Sequence, residues 1–421
     1  MRVRPRPNAR LCRISGDAGE VALRRLVYFT LLPLLLVLPA GVDGPPVDSA
    51  SWAATPRAVE PLTAAEEADP AVAAIARRFN PAMALPDAGG PWPVSVAYTW
   101  SGGADLQART VGPDGAVLRT ATARAGADLA RTPWHELPAN DRDGNRIEYW
   151  VDGPGDDRTQ AGQDGNGAES DWRRQWRAST AKTPTQYAHA FWLNRARGEL
   201  VIQYWFFYPF NEWINHHEGD WEHVNVVLAG PPGRSQLGRA SEYRPVGYEY
   251  YFHGQRLDTD QPIRAASDHP LVFVGGRGSV LWWSGNQSGG SYPWPASYRG
   301  AAGSFGPFAV SDDTRRPARI LDADAFDVVV LPEPARLDAR ARPELSWLRL
   351  PFFAGQPRSF ANPPLVDRFG GGKPPRQPAR RADWNAIGSR PLWSGTPTVE
   401  KYQPVLARAG DDPDGVSAVH P

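Results

Sequence analysis

The chain has 421 residues, enough for one large β-domain or two modest domains, and its 46 basic and 46 acidic side chains cancel. That balance argues against a general nucleic-acid binder, which carries a basic face. With 41 glycines, 43 prolines and 17 tryptophans, the composition suits turns and aromatic-rich strands better than helix bundles.

Residues 1–44 read as a secretory signal or an N-terminal anchor. Arg24 and Arg25 precede the apolar run Leu26 to Ala40, and small and polar residues follow. The run is short for a membrane span, and Pro33 interrupts it. The sole cysteine, Cys12, lies upstream, so a processed chain would carry no disulfide; its core, helped by a metal, would stabilise it. The expectation is a secreted or cell-envelope protein, anchored by the apolar segment if that segment is retained.

Residues 45–62 read as a flexible linker. Thr63 to Phe79 reads as a helix, with Thr63 as N-cap and Glu66 completing a capping box, and it ends near Asn80-Pro81. From Ala82 the pattern becomes β-like, and Val94 to Trp100 alternates as a strand would. Asp141-x-Asp143-Gly144-Asn145 has the look of a calcium loop, but the EF-hand pattern fails around it and a turn leading into the strand Ile147 to Val151 is the better reading. Tyr187 to Leu193, Glu199 to Tyr208 and Trp221 to Leu228 are the strongest strands, with a turn at Asn194 to Gly198. Later strands fall at Val246 to Phe252, Pro270 to Gly275 and Ala325 to Leu331. Residues 351–421 are rich in proline, arginine and glycine and read as an extended, wrapping or partly disordered tail. The fold expected over 63–350 is mainly β: an antiparallel β-sandwich with an N-terminal helix. Tyr204, Phe206 and Tyr208 fall on one face of a strand and Trp205 and Phe207 on the other, a pattern of two-sided core packing.

The segment that carries chemistry is His217-Glu218-Gly219-Asp220-Trp221-Glu222-His223, running directly into Val224-Asn225-Val226-Val227-Leu228. On a strand, Asp220, Glu222, Val224, Val226 and Leu228 share one face. Two carboxylates beside three aliphatics are expensive unless compensated, and a divalent cation held by His217, Asp220 and Glu222 is the simplest compensation. Oxygen ligands favour calcium or magnesium; zinc would lean on His216, His217 and His223. Asn211 and Glu212 are placed to complete the shell, and His253 and His269 would support it if their strands neighbour it. The plainer alternative has the acids hydrogen-bonding backbone and indole N–H groups at a strand end. Gly275-Gly276-Arg277-Gly278-Ser279 lacks the Lys-Ser/Thr of a phosphate loop. No G-x-S-x-G elbow, H-E-x-x-H helix or cysteine nucleophile is present, so a hydrolase would need the metal, with Glu222 or Glu218 as base.

Three stretches, Tyr204 to Asn211, His217 to Val224 and His269 to Val274, resemble the vacuolar protein sorting-associated protein 62 family; Phe79-Asn80-Pro81 and Pro93 to Val96 resemble its N-terminal signature. Members carry Gly-Ser-His-Ala after the third stretch, whereas this chain reads Arg277-Gly278-Ser279-Val280 and lacks that histidine. A more distant similarity is to the necrosis-inducing cytolysins of plant pathogens, through their G-H-R-H-D-W-E heptad. The matches are His217, Asp220, Trp221 and Glu222; Gly219 stands where the heptad has its second histidine, and Glu218 where it has arginine. Those cytolysins are secreted β-sandwiches whose divalent cation engages membrane sphingolipid head groups; the resemblance implies a cation site at His217, Asp220 and Glu222. The expected function is a cation-dependent module binding lipid or glycan head groups. Its rivals are a metal-dependent hydrolase on the same cluster and an envelope protein with a purely structural cation.

Overall fold

The computed structural model describes residues 59–100, 104–124, 137–153, 171–213, 217–233, 236–265, 267, 269–276, 279–280, 283–284, 287–305, 308–355, 374–399 and 417–418. The expected leader, most of the linker and His216 lie outside them. Among the described residues no helix is long and apolar enough to cross a membrane.

Thr63 and Glu66 form the expected capping box, but on a single turn, Ala64–Glu67. Asp69 then caps a second helix, α1 (Pro70–Phe79), with Pro70 at its start. Proline has no N–H to continue the first turn, so one expected helix becomes two. A further helix, α2 (Asp171–Ala178), has no counterpart in the sequence reading.

The chain is mainly β. The strands that matter are β1 (Ala82–Leu85), β2 (Asp105–Val111), β3 (Val117–Arg124), β4 (Arg146–Asp152), β5 (Thr185–Asn194), β6 (Glu199–Asn211), β7 (His217–Ala229), β8 (Arg244–Phe252), β9 (Gln255–Thr259), β10 (Leu271–Val274), β11 (Ser291–Tyr292), β12 (Arg319–Leu321) and β13 (Asp327–Val330). The main sheet runs β5-β6-β7-β8-β9, all antiparallel, with β13 parallel on the outer edge of β5. A smaller sheet runs β11-β10-β1-β12 and contains one parallel pair, β1 with β10. The third, β3-β2-β4, is antiparallel.

The period-two pattern of β6 and β7 builds two cores at once. Tyr204, Phe206, Tyr208, Val224, Val226 and Leu228 pack against α1 and against Met83, Leu85, Val272 and Val274 of the smaller sheet. This is the sandwich. On the opposite face Trp205, Phe207 and Trp221 pack with Trp176, Trp347 and Val151. Val94 to Trp100 is not a strand. Val94 makes one isolated bridge to Pro184, Ser95 Oγ accepts the Ala97 N–H, and Ala97–Trp100 closes a helical turn. Asp141 accepts hydrogen bonds from the backbone N–H groups of Asp143 and Asn145, which makes its loop a self-satisfied turn.

Residues 374–399 cross the second face of the main sheet as a strap. Gln203 Nε2 donates to the Asp383 carbonyl at 2.8 Å, Asn225 Nδ2 donates to the Ala386 carbonyl at 3.0 Å, and the Gly388 N–H donates to Glu249 Oε1 at 2.8 Å. Glu249 is wholly buried beneath it, accepting also from Tyr251 and Asn225. Burial first, and then the neighbouring Asp258, push its carboxyl up to about 7 from an ordinary 4.5. A carboxyl raised on folding stabilises the native state only while it stays protonated. Its contribution is full below the unfolded value and is lost as pH rises through about 7. Relative to Glu249→Gln, the wild type should therefore lose about 1–3 kcal/mol between pH 4.5 and 8. Urea unfolding of both proteins across that range checks this, and parallel stability profiles would show that Glu249 keeps its charge when buried.

Candidate functional site

His217, Asp220 and Glu222 line one cavity of about 270 Å³ at the N-terminal end of β7. Simple alternation would put His217 and Asp220, three residues apart, on opposite faces. Gly219 reverses the alternation. Its φ of +61° is a conformation that residues with a Cβ rarely adopt, and a Cβ there would lie 2.3 Å from the Ala354 carbonyl oxygen. His217 therefore joins Asp220 in this cavity, while Glu218 lines another, beside Phe210 and Trp172.

Each wall of the cavity has a definable cause. Asp220 Oδ1 accepts the Trp221 N–H at 2.9 Å, and its Oδ2 accepts from Asn211 Nδ2 at 3.2 Å. Asn211 also donates to the Ser288 carbonyl at 3.2 Å, tying β6 to the loop before β11. Gly289, at φ +79°, presses its backbone onto the acids: a Cβ there would lie 3.0 Å from Asp220 Oδ2 and 3.4 Å from Glu222 Cγ. His217 Nδ1 faces the Gly219 carbonyl at 3.1 Å. A carbonyl only accepts, so Nδ1 carries a proton, and in the neutral ring this leaves the lone pair on Nε2, the tautomer a metal-binding histidine uses.

His253 lines the same cavity, with its Nε2 2.9 Å from Asp312 Oδ2 and its ring stacked on Trp213 at 5.0 Å. Asp312 is fully buried and also accepts from Ser288 Oγ at 2.7 Å and Tyr292 Oη at 2.6 Å. From the strap come Arg381, which donates to Asp383 and to the Trp221 carbonyl at 2.5 Å, and Arg390, which grips Asp383 bidentately at 2.7 and 2.8 Å. Both arginines line the cavity.

Burial, and then Asp220, hold the Glu222 carboxyl well above the usual range, with Arg381 pulling the other way. Tyr208, opposite Asp220 on β6, has a buried hydroxyl with no hydrogen-bond partner among the described residues; burial and then Glu222 raise it strongly. The site thus holds an excess of buried acceptor charge, which a cation would relieve. The donors fit a hard cation: two carboxylates, an imidazole with a free Nε2 and a nearby amide. Among the described residues, no group of three or more His, Cys, Asp or Glu side chains is already drawn together as a metal cage, so ligation would have to pull these side chains inward.

The other expected supporters lie elsewhere. Glu212 is turned to Arg173, whose Nε donates to it at 2.8 Å. His223 projects from the opposite face of β7, sandwiched between Trp205 at 4.3 Å and Tyr251 at 4.0 Å, and its burial keeps it neutral by lowering its pKa well below the ordinary value. His269 spends Nδ1 on the Asn80 carbonyl at 2.7 Å, at the entrance to β10.

No protein-family model matches the chain, and no curated protein matches it. Solved structures of necrosis- and ethylene-inducing protein type do. NLPPya in complex with glucosamine matches at 15% identity over 56% of this chain and 77% of that one, with a TM-score of 0.23. A structure described as "Toxin fold for microbial attack and plant defense" matches at 15% identity over 56% and 78%, with a TM-score of 0.23. Necrosis and Ethylene inducing Protein 2 from the causal agent of cocoa's Witches Broom disease matches at 14% identity over 45% and 68%, with a TM-score of 0.21.

Gly219→Ala should destabilise the fold by about 1–3 kcal/mol from backbone strain alone, with a further loss from the Ala354 crossing. Chemical unfolding measures it; a loss below about 0.5 kcal/mol, the range of an ordinary surface change, would show that the 353–355 segment yields freely.

Proposed function

We propose that this protein is an exported, cation-dependent binding module of the vacuolar protein sorting-associated protein 62 type. A calcium or magnesium ion at His217, Asp220 and Glu222 would present itself to the head group of a lipid or glycan. The observation that carries this reading is the convergence of His217, Asp220 and Glu222 on one cavity, where burial and then the neighbouring Asp220 push the Glu222 carboxyl well above its ordinary range. Oxygen-rich, like-charged and half-buried, such a site gains most from a hard divalent ion.

The surrounding residues have separate tasks. Asn211 fixes Asp220 through its amide, and the Gly219 carbonyl orients the His217 ring. Asp312 holds His253 at the wall, where its ring can hydrogen-bond a hydroxyl or anionic oxygen of the ligand. Arg381 and Arg390 supply positive charge on the strap side, suited to a phosphate or an acidic sugar. The bound cation would supply the attraction for ligand oxygens that the acids alone repel.

Calorimetric titration with calcium and with magnesium is the direct test. One ion should bind the wild type, and at a hundredfold excess over Kd it should add about 2.7 kcal/mol to folding stability. Asp220→Asn with Glu222→Gln should abolish uptake. In chelator at pH 8 the same double variant should be more stable than the wild type, because two repelling charges are gone. Glucosamine and mannosamine, sugars described in complex with NLPPya, serve as head-group probes and should bind only with the ion present. Absence of uptake of either ion at millimolar concentration overturns the reading.

A further inference from the structure

On the opposite side of β7 lies a second cavity, of about 470 Å³, a size within the roughly 300–1,000 Å³ of small-ligand sites. Its lining is amphipathic. Trp172 and Phe210, whose rings stack at 6.0 Å and 21°, and the half-buried Tyr98 give it an aromatic wall. Tyr98 is itself braced edge-on by Trp176 at 5.4 Å. Thr99, Gln175, Ser179 and Thr183 give it hydroxyl and amide groups, and Glu218 brings a carboxylate. One of these groups is unsatisfied: Thr99 is only 3% exposed, and its buried Oγ1 has no hydrogen-bond partner among the described residues. A buried hydroxyl left unpaired costs free energy that a ligand oxygen could recover.

We propose that this cavity is a second binding site, independent of any cation, for a small pyranoside. A pyranose ring has an apolar C–H face and a hydroxyl edge, and the cavity offers an aromatic wall for the first and mixed donors and acceptors for the second. A ligand ammonium would need acceptors and aromatic faces alone. The Gln175 amide donors would be wasted on it. A sugar hydroxyl can both donate to the Glu218 carboxylate and accept from an amide or from Thr99. The two sites share one cause: the reversal at Gly219 sends Glu218 to this cavity and His217 to the other.

Saturation-transfer NMR with the methyl glycosides of glucose, mannose and galactose, recorded in EDTA, tests the site on the full chain. At least one glycoside should bind at millimolar concentration. Tyr98→Ala and Gln175→Ala should each weaken binding fivefold or more, and Thr99→Val should weaken it measurably, with unfolding midpoints confirming that each variant is folded. Gln175 is half-buried on α2, so its substitution keeps the test decisive if Tyr98→Ala fails to fold. Asp220→Asn with Glu222→Gln should leave glycoside binding unchanged. The proposal is overturned if no glycoside binds in EDTA, if the Asp220/Glu222 variant abolishes binding, if Gln175→Ala and Thr99→Val leave it intact, or if tetramethylammonium binds where glycosides do not.

Discussion

At Gly219 the central strand takes a left-handed φ, and the Ala354 carbonyl crosses through the space a Cβ would fill. Two chain segments are locked together there, with Gly355 facing the same constraint: a Cβ on it would lie 2.1 Å from the Glu218 carbonyl oxygen. The crossing fixes the side-chain directions of the whole heptad. Before the reversal His217 lines the cavity of Asp220 and Glu222; after it the even-numbered Val224, Val226 and Leu228 pack toward the smaller sheet. Without the reversal, His217 would join Trp221 and His223 on the strap side, and the two acids would face Glu218. Neither cavity would have its present composition.

The acids at this mouth are tolerated because they are held from several elements. Asp220 is bound by the Trp221 N–H and by Asn211, and Asn211 is in turn bound to the Ser288 carbonyl. Glu222 has no comparable anchor among the described residues, so its burial appears as a raised pKa rather than as a hydrogen-bond network. The contrast with Glu333 is instructive. Glu333 is also desolvated, yet hydrogen bonds from His189, Asn385 and Trp384 hold its carboxyl down near 2. At Glu333 the partners outweigh the burial, whereas Glu222 lacks such partners among the described residues.

Much of the fold was legible because β5, β6 and β7 are buried on both faces and carry long apolar and aromatic runs. Such runs need no tertiary information to be recognised. The Val94 to Trp100 alternation misled because Ser95 Oγ satisfies the Ala97 N–H locally and the distant Tyr187 hydroxyl takes the Val96 N–H, and a helical turn then competes with a strand. The short strands of the smaller sheet and of the β2-β3-β4 sheet draw their definition from partners distant in sequence. At the site, Asp220 and Glu222 could be placed on a common face by period alone. His217 could not, because its direction depends on a backbone angle. Asp312, Ser288, Arg381 and Arg390 reach the cavity only through the fold, and nothing in their local sequence distinguishes them. Nor could the sequence assign Glu212 to Arg173 or His269 to the Asn80 carbonyl, since each partner comes from another element.

The strap links the electrostatics of the site to the integrity of the sheet. Asp383 is fully buried and accepts from Arg390, Arg381 and Ser389; despite that burial it is held well below the ordinary carboxylate range, chiefly by the Arg390 hydrogen bond. Through Asp383 the two arginines are positioned at the cavity wall, while the backbone of the same segment satisfies Gln203, Asn225 and Glu249 on the sheet. Positive charge therefore arrives beside Glu222 only when the strap is seated, and the strap seats only on a formed sheet. Acids from β7 and bases from the strap thus meet on the walls of one cavity, and under the proposed function a cation and an anionic head group would complete that charge pattern.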